Sequence, residues 1–290
     1  MAPQAIMRRL LLWLLRHLPL PPELSSSLQG RALPASEGLV PYVNGDGIRF
    51  ELDLHEYIQK RIYAYQYYEP ECVRAARRFM RQGGIVVDIG ANIGQYSLLA
   101  AVRVGPAGRV LAFEPSPPIL ERLRRHLAIN RVDNVEVVPC AVSDVAGTLS
   151  YYGPAQAGNL GQGSLVAPSD ADGTRSHEAL PVQAVRLDAE LAARGIDTVD
   201  FVKIDVEGHE MAVLRSAEPW LRERRIRVLM VEISPDNLRQ AGQDHEAVIG
   251  YLQGFDYRPM VAHWSGRLRP LQGAVLADTN VFFLASGGGS

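Results

Sequence analysis

Residues 85–94, reading Ile-Val-Val-Asp-Ile-Gly-Ala-Asn-Ile-Gly, constrain the fold of this chain more than any other segment. Residues 85–89 are few, β-branched and apolar apart from Asp88, the pattern of a buried strand. Gly90 lets the chain turn sharply, and residues 95–104 then read as a helix. A strand that runs through a turn straight into a helix reaches its neighbour by a crossover, so the sheet is mostly parallel and covered on both faces. The same alternation recurs downstream. Further strands are predicted at 109–113, 135–139, 201–204, 228–233, 257–260 and 281–284, with helices at 69–81, 118–130, 208–216 and 244–253. The expected architecture is α/β: a Rossmann-like, doubly wound, mostly parallel seven-stranded sheet with helices on both faces, plus an N-terminal helical arm.

Composition excludes several classes. Of 290 residues, 47% are hydrophobic and 21% charged, which suits a folded globular chain and not a disordered, collagen-like or multi-span membrane protein. Thirty basic against 32 acidic residues leave a net charge of −2, so no global positive field draws nucleic acid. Cys72 and Cys140 are too few for a disulfide framework and lack metal-ligand spacing. Two free thiols in a reducing, cytoplasmic compartment are expected.

The chain divides into an arm over 1–45, a main domain over 46–286 and a Gly-Gly-Gly-Ser linker over 287–290. The uninterrupted apolar run 10–15 is far short of the ~20 residues that span a bilayer. Arg16, His17 and three prolines follow it without a persuasive cleavage site, which argues against a signal peptide. Arg8, Arg9 and Arg16 fall on one side of an amphipathic helix, expected to pack on its own domain. The alternative is a peripheral membrane or partner contact. Residues 19–41 read as an irregular arm, and 151–176, rich in Gly, Ser, Pro and Asp, as a long functional loop.

Position 92 decides which ligand the first turn takes. A dinucleotide fingerprint has glycine there to admit a pyrophosphate, whereas this chain has Asn92, which disfavours a nicotinamide-dependent oxidoreductase. Asp88 ahead of Gly90 suits a cationic, phosphate-free ligand. The second strand ends Ala-Phe-Glu-Pro at 112–115, and a carboxylate there stands ready to accept from two ribose hydroxyls. The plainer reading of Glu114 is a helix cap. Ala141 and Ser143 end the third strand with small side chains that suit an adenine slot.

Together these segments resemble the FkbM-type S-adenosylmethionine-dependent methyltransferases. Asp88-Ile89-Gly90-Ala91-Asn92-Ile93-Gly94 with Tyr96-Ser97, Phe113-Glu114-Pro115, and Lys203-Ile204-Asp205-Val206-Glu207-Gly208-His209-Glu210 carry the resemblance. So do Val185-Arg186-Leu187-Asp188, Asn159-Leu160-Gly161 with Ser164-Leu165, and Asn280-Val281-Phe282-Phe283. It extends from about Tyr57 to Leu284 and departs at Gln66-Tyr67-Tyr68-Glu69, where a glycine is expected just before the Tyr-Glu pair. The resemblance implies S-adenosyl-L-methionine as cofactor and O-methylation of a hydroxyl on a sugar or secondary metabolite. It implies a cofactor site of Glu69, Asp88, Gly90, Ala91, Asn92, Gly94, Tyr96, Ser97, Glu114, Pro115, Ala141, Ser143 and Asp205.

Residues 201–205 deliver Asp205 to the sheet edge that Asp88 occupies, with Glu207, His209 and Glu210 on the following turn. A charge at the tip of an apolar strand needs a partner, either Lys203 or a cationic ligand. Lys203 is itself one of only two lysines in the chain. Glu232 ends the next strand. Taking a proton from an alcohol acceptor needs a nearby base, and Asp205, Glu207, His209 and Glu232, with Lys203 beside them, form the candidate catalytic set. Glu210 reads as a helix cap. The carboxylates are alternatively oxygen ligands for a divalent cation, though no metal is assigned. Residues 151–176 and the region before Tyr68 are expected to cover the acceptor; Trp264 and the 63–68 aromatics are candidates to stack on a sugar, core packing being the other reading. The competing non-enzymatic reading is a binding domain that keeps the fold without the chemistry.

Overall fold

The computed structural model describes residues 3–18, 22–154, 160–168 and 175–286. Asn159 and the tail 287–290, both used in the sequence reading, lie outside them. Helices α1 (Pro3–His17) and α2 (Pro22–Ala32) precede the hairpin β1 (Val40–Val43) and β2 (Arg49–Leu52), then α3 (Tyr57–Tyr65) and α4 (Pro70–Ala76). The first half of the main sheet comes from β3 (Ile85–Ile89), α5 (Gln95–Val104), β4 (Arg109–Phe113), α6 (Pro117–Asn130) and β5 (Val135–Val138). Three strands then form a separate small sheet: β6 (Ala141–Val142), β7 (Gly147–Pro154) and β8 (Arg175–Val185). The chain continues through α7 (Leu187–Ala193), β9 (Phe201–Ile204), α8 (Glu210–Ser216), α9 (Glu218–Arg222) and β10 (Val228–Ile233). It closes with α10 (Pro235–Gln240), α11 (His245–Gln253), β11 (Tyr257–Ala262), β12 (Leu268–Pro270) and β13 (Thr279–Ala285).

The main sheet corrects the expectation of seven mostly parallel strands: it has eight and is mixed, in the order β12-β11-β13-β10-β9-β3-β4-β5. The run from β10 to β5 is parallel throughout, as β-helix-β alternation requires. Strand β13 enters antiparallel between β10 and β11, and the three-residue β12 pairs antiparallel outside β11. Hairpin returns of this kind need no crossover helix, so the helical rhythm says nothing about them.

Alternation along the strands divides the core in two. Val87, Ile89, Val202, Ile204, Leu229 and Val231 pack on one face with Leu214, Leu221 and Leu252 of the later helices. Val86, Val110, Phe201, Met230 and Phe282 pack on the other with Val73, Leu98, Leu99 and Leu123. Residues of the second parity, Asp88 and Lys203, are therefore carried beneath α5, facing each other in register.

Three other expectations change. The helix expected at 69–81 is only the seven residues of α4. The supposedly irregular 19–41 contains α2, and the long loop 151–176 starts and ends in the strands β7 and β8. Their alternating apolar residues Tyr151, Val182 and Ala184 pack on Ala141, which holds the hairpin against the end of the main sheet.

Candidate active site

A cavity of about 740 Å³, open to solvent, lies beyond the carboxyl ends of β3, β4, β9 and β10. Open parallel sheets bind ligands at this edge because successive strand-to-helix turns diverge there. Gly90 and Asn92, Phe113-Glu114-Pro115 and Ala141-Val142 line it at the ends of β3, β4 and β6. Asp205, Glu207, His209 and Glu232 line it from β9 and β10, together with Tyr151, Gly161, Gly163, Ser164, Leu165, Ile58 and Tyr68.

The turn after β3 is left-handed at Gly90 (φ 76°), Asn92 (φ 50°) and Gly94 (φ 93°). Asparagine tolerates that region better than most side chains. At Gly90 no side chain fits, since a Cβ would lie 1.9 Å from the Asp205 carbonyl oxygen. The turn thus brings the ends of β3 and β9 into backbone contact, secured by Asp205 N–H donating to Ile89 O at 3.1 Å.

Glu114 is buried and doubly anchored. Asn92 N–H donates to its Oε2 at 3.0 Å, and Ser116 N–H donates to its Oε1 at 2.9 Å. Each oxygen keeps a further lone pair for a second donor. Burial pushes its pKa up to about 7 against the opposing pull of those two amides. Because Asn92 N–H is committed to a carboxylate, the turn offers a pyrophosphate one donor fewer. Apolar Phe113, Ile119 and Val142 stand beside Glu114 in the same wall.

The acidic groups converge. Asp205, Glu207 and Glu232 each offer an oxygen within 4.8 Å of the others, the arrangement left open by sequence and, among the described residues, compact enough for a cation. Burial raises the Glu232 pKa well above the carboxylate range, helped by Asp205 and Glu207. Lys203 Nζ lies 2.9 Å from Asp205 and donates to Gly90 O at 3.1 Å. Burial opposes its ammonium form, but Asp205 and Asp88 outweigh that and raise its pKa. Glu207 holds a left-handed backbone (φ 53°) that only surrounding contacts sustain. Asn237 donates to its Oε2, and Ser164 Oγ donates to its carbonyl at 2.6 Å, latching Ser164 to the acidic turn.

The remaining sequence candidates sit behind the wall and not in it. Asp88 is buried (1% exposed) below Gly90, with Ser97 Oγ donating to it at 2.6 Å. Burial raises its pKa against Lys203, and its Oδ1 has no hydrogen-bond partner. Tyr96 lies under the Lys203 ammonium, 5.6 Å from ring centroid to Nζ, and Ala91 and Gly94 are packed into the turn. Ser143, expected in an adenine slot, instead meets His209 Nε2 at 3.0 Å. Burial lowers the His209 pKa, so the imidazole is neutral near pH 7. Glu69, left-handed at φ 52°, accepts from Asn280 Nδ2 at 2.7 Å, and burial pushes its pKa up to about 8. Glu210, read as a helix cap, instead accepts from Gly208 N–H at 3.0 Å and so holds the turn ahead of α8. In place of the missing glycine, Tyr67 is buried and donates to Asp46, and the left-handed residue is Gln66.

Trp264 is 60% exposed and outside the cavity. Ile58 and Tyr151 come from the two stretches expected to cover the acceptor, the region before Tyr68 and residues 151–176, though neither residue was singled out, because folding back of a hairpin leaves no local pattern.

The FkbM methyltransferase domain model matches residues 88–259. The methyltransferase sdnD of Sordaria araneosa is 30% identical over 207 residues, covering 62% of this chain and 76% of that protein. The 31-O-demethyl-FK506 methyltransferase FkbM of Streptomyces tacrolimicus is 34% identical over 175 residues, 51% of this chain and 65% of that one. The 2-O-methyltransferase NoeI of Sinorhizobium fredii is 24% identical over 181 residues, 59% and 72% respectively.

The donor set suits the cofactor of such enzymes. A buried carboxylate with free lone pairs matches a ribose diol, apolar side chains next to it match a purine face, and the acidic cluster matches a sulfonium and an ammonium. With that chemistry at the edge of this sheet and the domain match across it, the chain belongs to the FkbM methyltransferase family and is an S-adenosylmethionine-dependent methyltransferase.

Proposed function

We propose that the protein methylates a hydroxyl group on a small molecule or glycan, a sugar or a secondary metabolite. The observation that carries this reading is a single cavity lined by both the doubly anchored Glu114 and the Asp205–Glu207–Glu232 cluster. Similarity to the 31-O-demethyl-FK506 methyltransferase FkbM and the 2-O-methyltransferase NoeI supports the hydroxyl as acceptor. Bound S-adenosylmethionine supplies a methyl group on a sulfonium sulfur, open to in-line attack by a nucleophilic oxygen.

In this reading Glu114 holds the ribose, with Asn92 and Ser116 fixing its carboxylate, and Ala141 and Val142 flank the base. Gly90 and Pro115 complete that wall, while Asp88, Ser97 and Tyr96 position Lys203 from behind. Lys203 keeps Asp205 pointed at the cavity and prevents it from folding back on Asp88. Asp205, Glu207 and Glu232 face the cationic end and take the acceptor's proton. Burial, helped by the neighbouring Asp205 and Glu207, raises the proton affinity of Glu232, which favours it as an acceptor of that proton. His209, neutral and held by Ser143, is the nearest alternative base. Half-buried Tyr68 and the edge of buried Tyr151 that lines the cavity suit a ring-bearing acceptor.

The test is transfer of labelled methyl from S-adenosylmethionine to panels of glycosides and hydroxylated metabolites, with the product linkage read by mass spectrometry and NMR. A methyl ether is expected. Label found only on nitrogen or carbon would overturn the hydroxyl assignment.

A further inference from the structure

Helix α1 has two unlike faces. Leu11 and Leu15 are buried against Ala32 of α2 and Ala64 of α3. Arg16, expected with Arg8 and Arg9 on a solvent-facing basic side, turns inward: it donates to the carbonyls of Ala64 and Tyr63 at 3.1 and 2.8 Å. The opposite face presents Ile6, Met7, Leu10 and Trp13, each more than half exposed. Positions 6, 10 and 13 follow i, i+4, i+7 spacing, so they form one stripe. A helix docked only on its own domain buries its apolar stripe; this one holds a second stripe outward.

The surrounding surface and charge indicate what covers it. Of thirteen large hydrophobic side chains exposed among the described residues, eight lie between residues 6 and 57, so most of them belong to the N-terminal part of the chain. Residues 1–22 contain Arg8, Arg9 and Arg16 and no Asp or Glu, within a chain of net charge −2. At 15 residues α1 is too short to span a bilayer, and no described helix is long and apolar enough to do so. We propose that α1 lies flat on an anionic lipid surface, with Ile6, Met7, Leu10 and Trp13 in the boundary between headgroups and acyl chains. With Arg16 bonded inward, exposed Arg9 and half-buried Arg8 remain, with no acid among residues 1–22, which suits anionic headgroups, and a tryptophan in the stripe suits that depth. Because α1 packs on α3, whose Ile58 lines the cavity, adsorption brings the active site close to the lipid surface. Neither the contact nor its test depends on the acceptor.

The test is co-sedimentation of the full chain with vesicles of phosphatidylcholine alone or mixed with phosphatidylglycerol, alongside size-exclusion chromatography without lipid. The wild type is expected to pellet with the anionic vesicles at least tenfold more strongly than with neutral ones. Leu10→Glu combined with Trp13→Glu should abolish pelleting and leave the melting temperature and S-adenosylhomocysteine affinity unchanged. Arg9→Gln should weaken it about fivefold. Wild-type protein that stays in the supernatant, or binds both vesicle types equally, overturns the proposal. So does a wild-type dimer that the double substitution converts to monomer, since the stripe would then be a protein interface.

Discussion

Replacing Glu114 with alanine separates the roles this carboxylate is assigned. Truncation leaves the Asn92 and Ser116 amides, now 3.0 and 2.9 Å from its oxygens, without acceptors. An unpaired buried amide costs about 1–3 kcal/mol, and water entering the vacated space in an open cavity keeps the pair toward the lower end, roughly 2–4 kcal/mol together. Against a typical stability of about 5–15 kcal/mol the protein stays folded at room temperature, with a melting temperature lower by roughly 5–15 °C. Cofactor affinity falls separately, by the charged hydrogen bonds to the ribose, about 1.5–3 kcal/mol or ~10–150-fold in Kd. Titration calorimetry with S-adenosylhomocysteine below the melting range reads this directly, with circular dichroism as the folding control. A folded variant that binds within twofold of wild type would refute the ribose assignment.

Three further outcomes are expected. The empty folded site raises the Glu114 pKa to about 7, so its protonated form stabilises the apo protein below the unfolded value and that contribution fades as pH rises through about 7. Binding that needs the carboxylate runs the opposite way: wild-type affinity for S-adenosylhomocysteine should strengthen from pH 6 to 8 by up to about tenfold, and a flat profile removes Glu114 from the site. Asp205→Asn should keep cofactor affinity within about fivefold yet lose ~100-fold or more in turnover, as removal of a proton-accepting group does; undiminished methylation in single-turnover assays excludes Asp205. Gly90→Ala places a Cβ 1.9 Å from the Asp205 carbonyl at φ 76°, so several kcal/mol of destabilisation should appear in urea unfolding, and a wild-type midpoint contradicts the close approach of β3 and β9.

The local part of this protein was legible in its residues. Strand β3, helix α5, strand β4 and strand β9 fall where alternation of short β-branched runs with helical spacing puts them, because period and turn chemistry act over a few residues. Asp205 and Glu207 were visible for the same reason, as charges interrupting or following an apolar strand. What lies between distant segments was not. The eighth strand and the antiparallel insertion of β13 depend on which edges remain to be paired, and no local pattern records that.

Sequence determined the alternation, the glycine turn and the carboxylates at strand tips, since these follow from backbone sterics and from the cost of burying charge. The β3-β9-β10 order is the one the candidate catalytic set presumed, with Glu232 beside Asp205, while tertiary structure alone set Asp88 and Lys203 behind the wall. It also turned Arg16 inward and left the Ile6–Trp13 stripe outside. Strand order and helix orientation are settled by packing between residues far apart in the chain, where hydrophobic burial is indifferent to sequence distance.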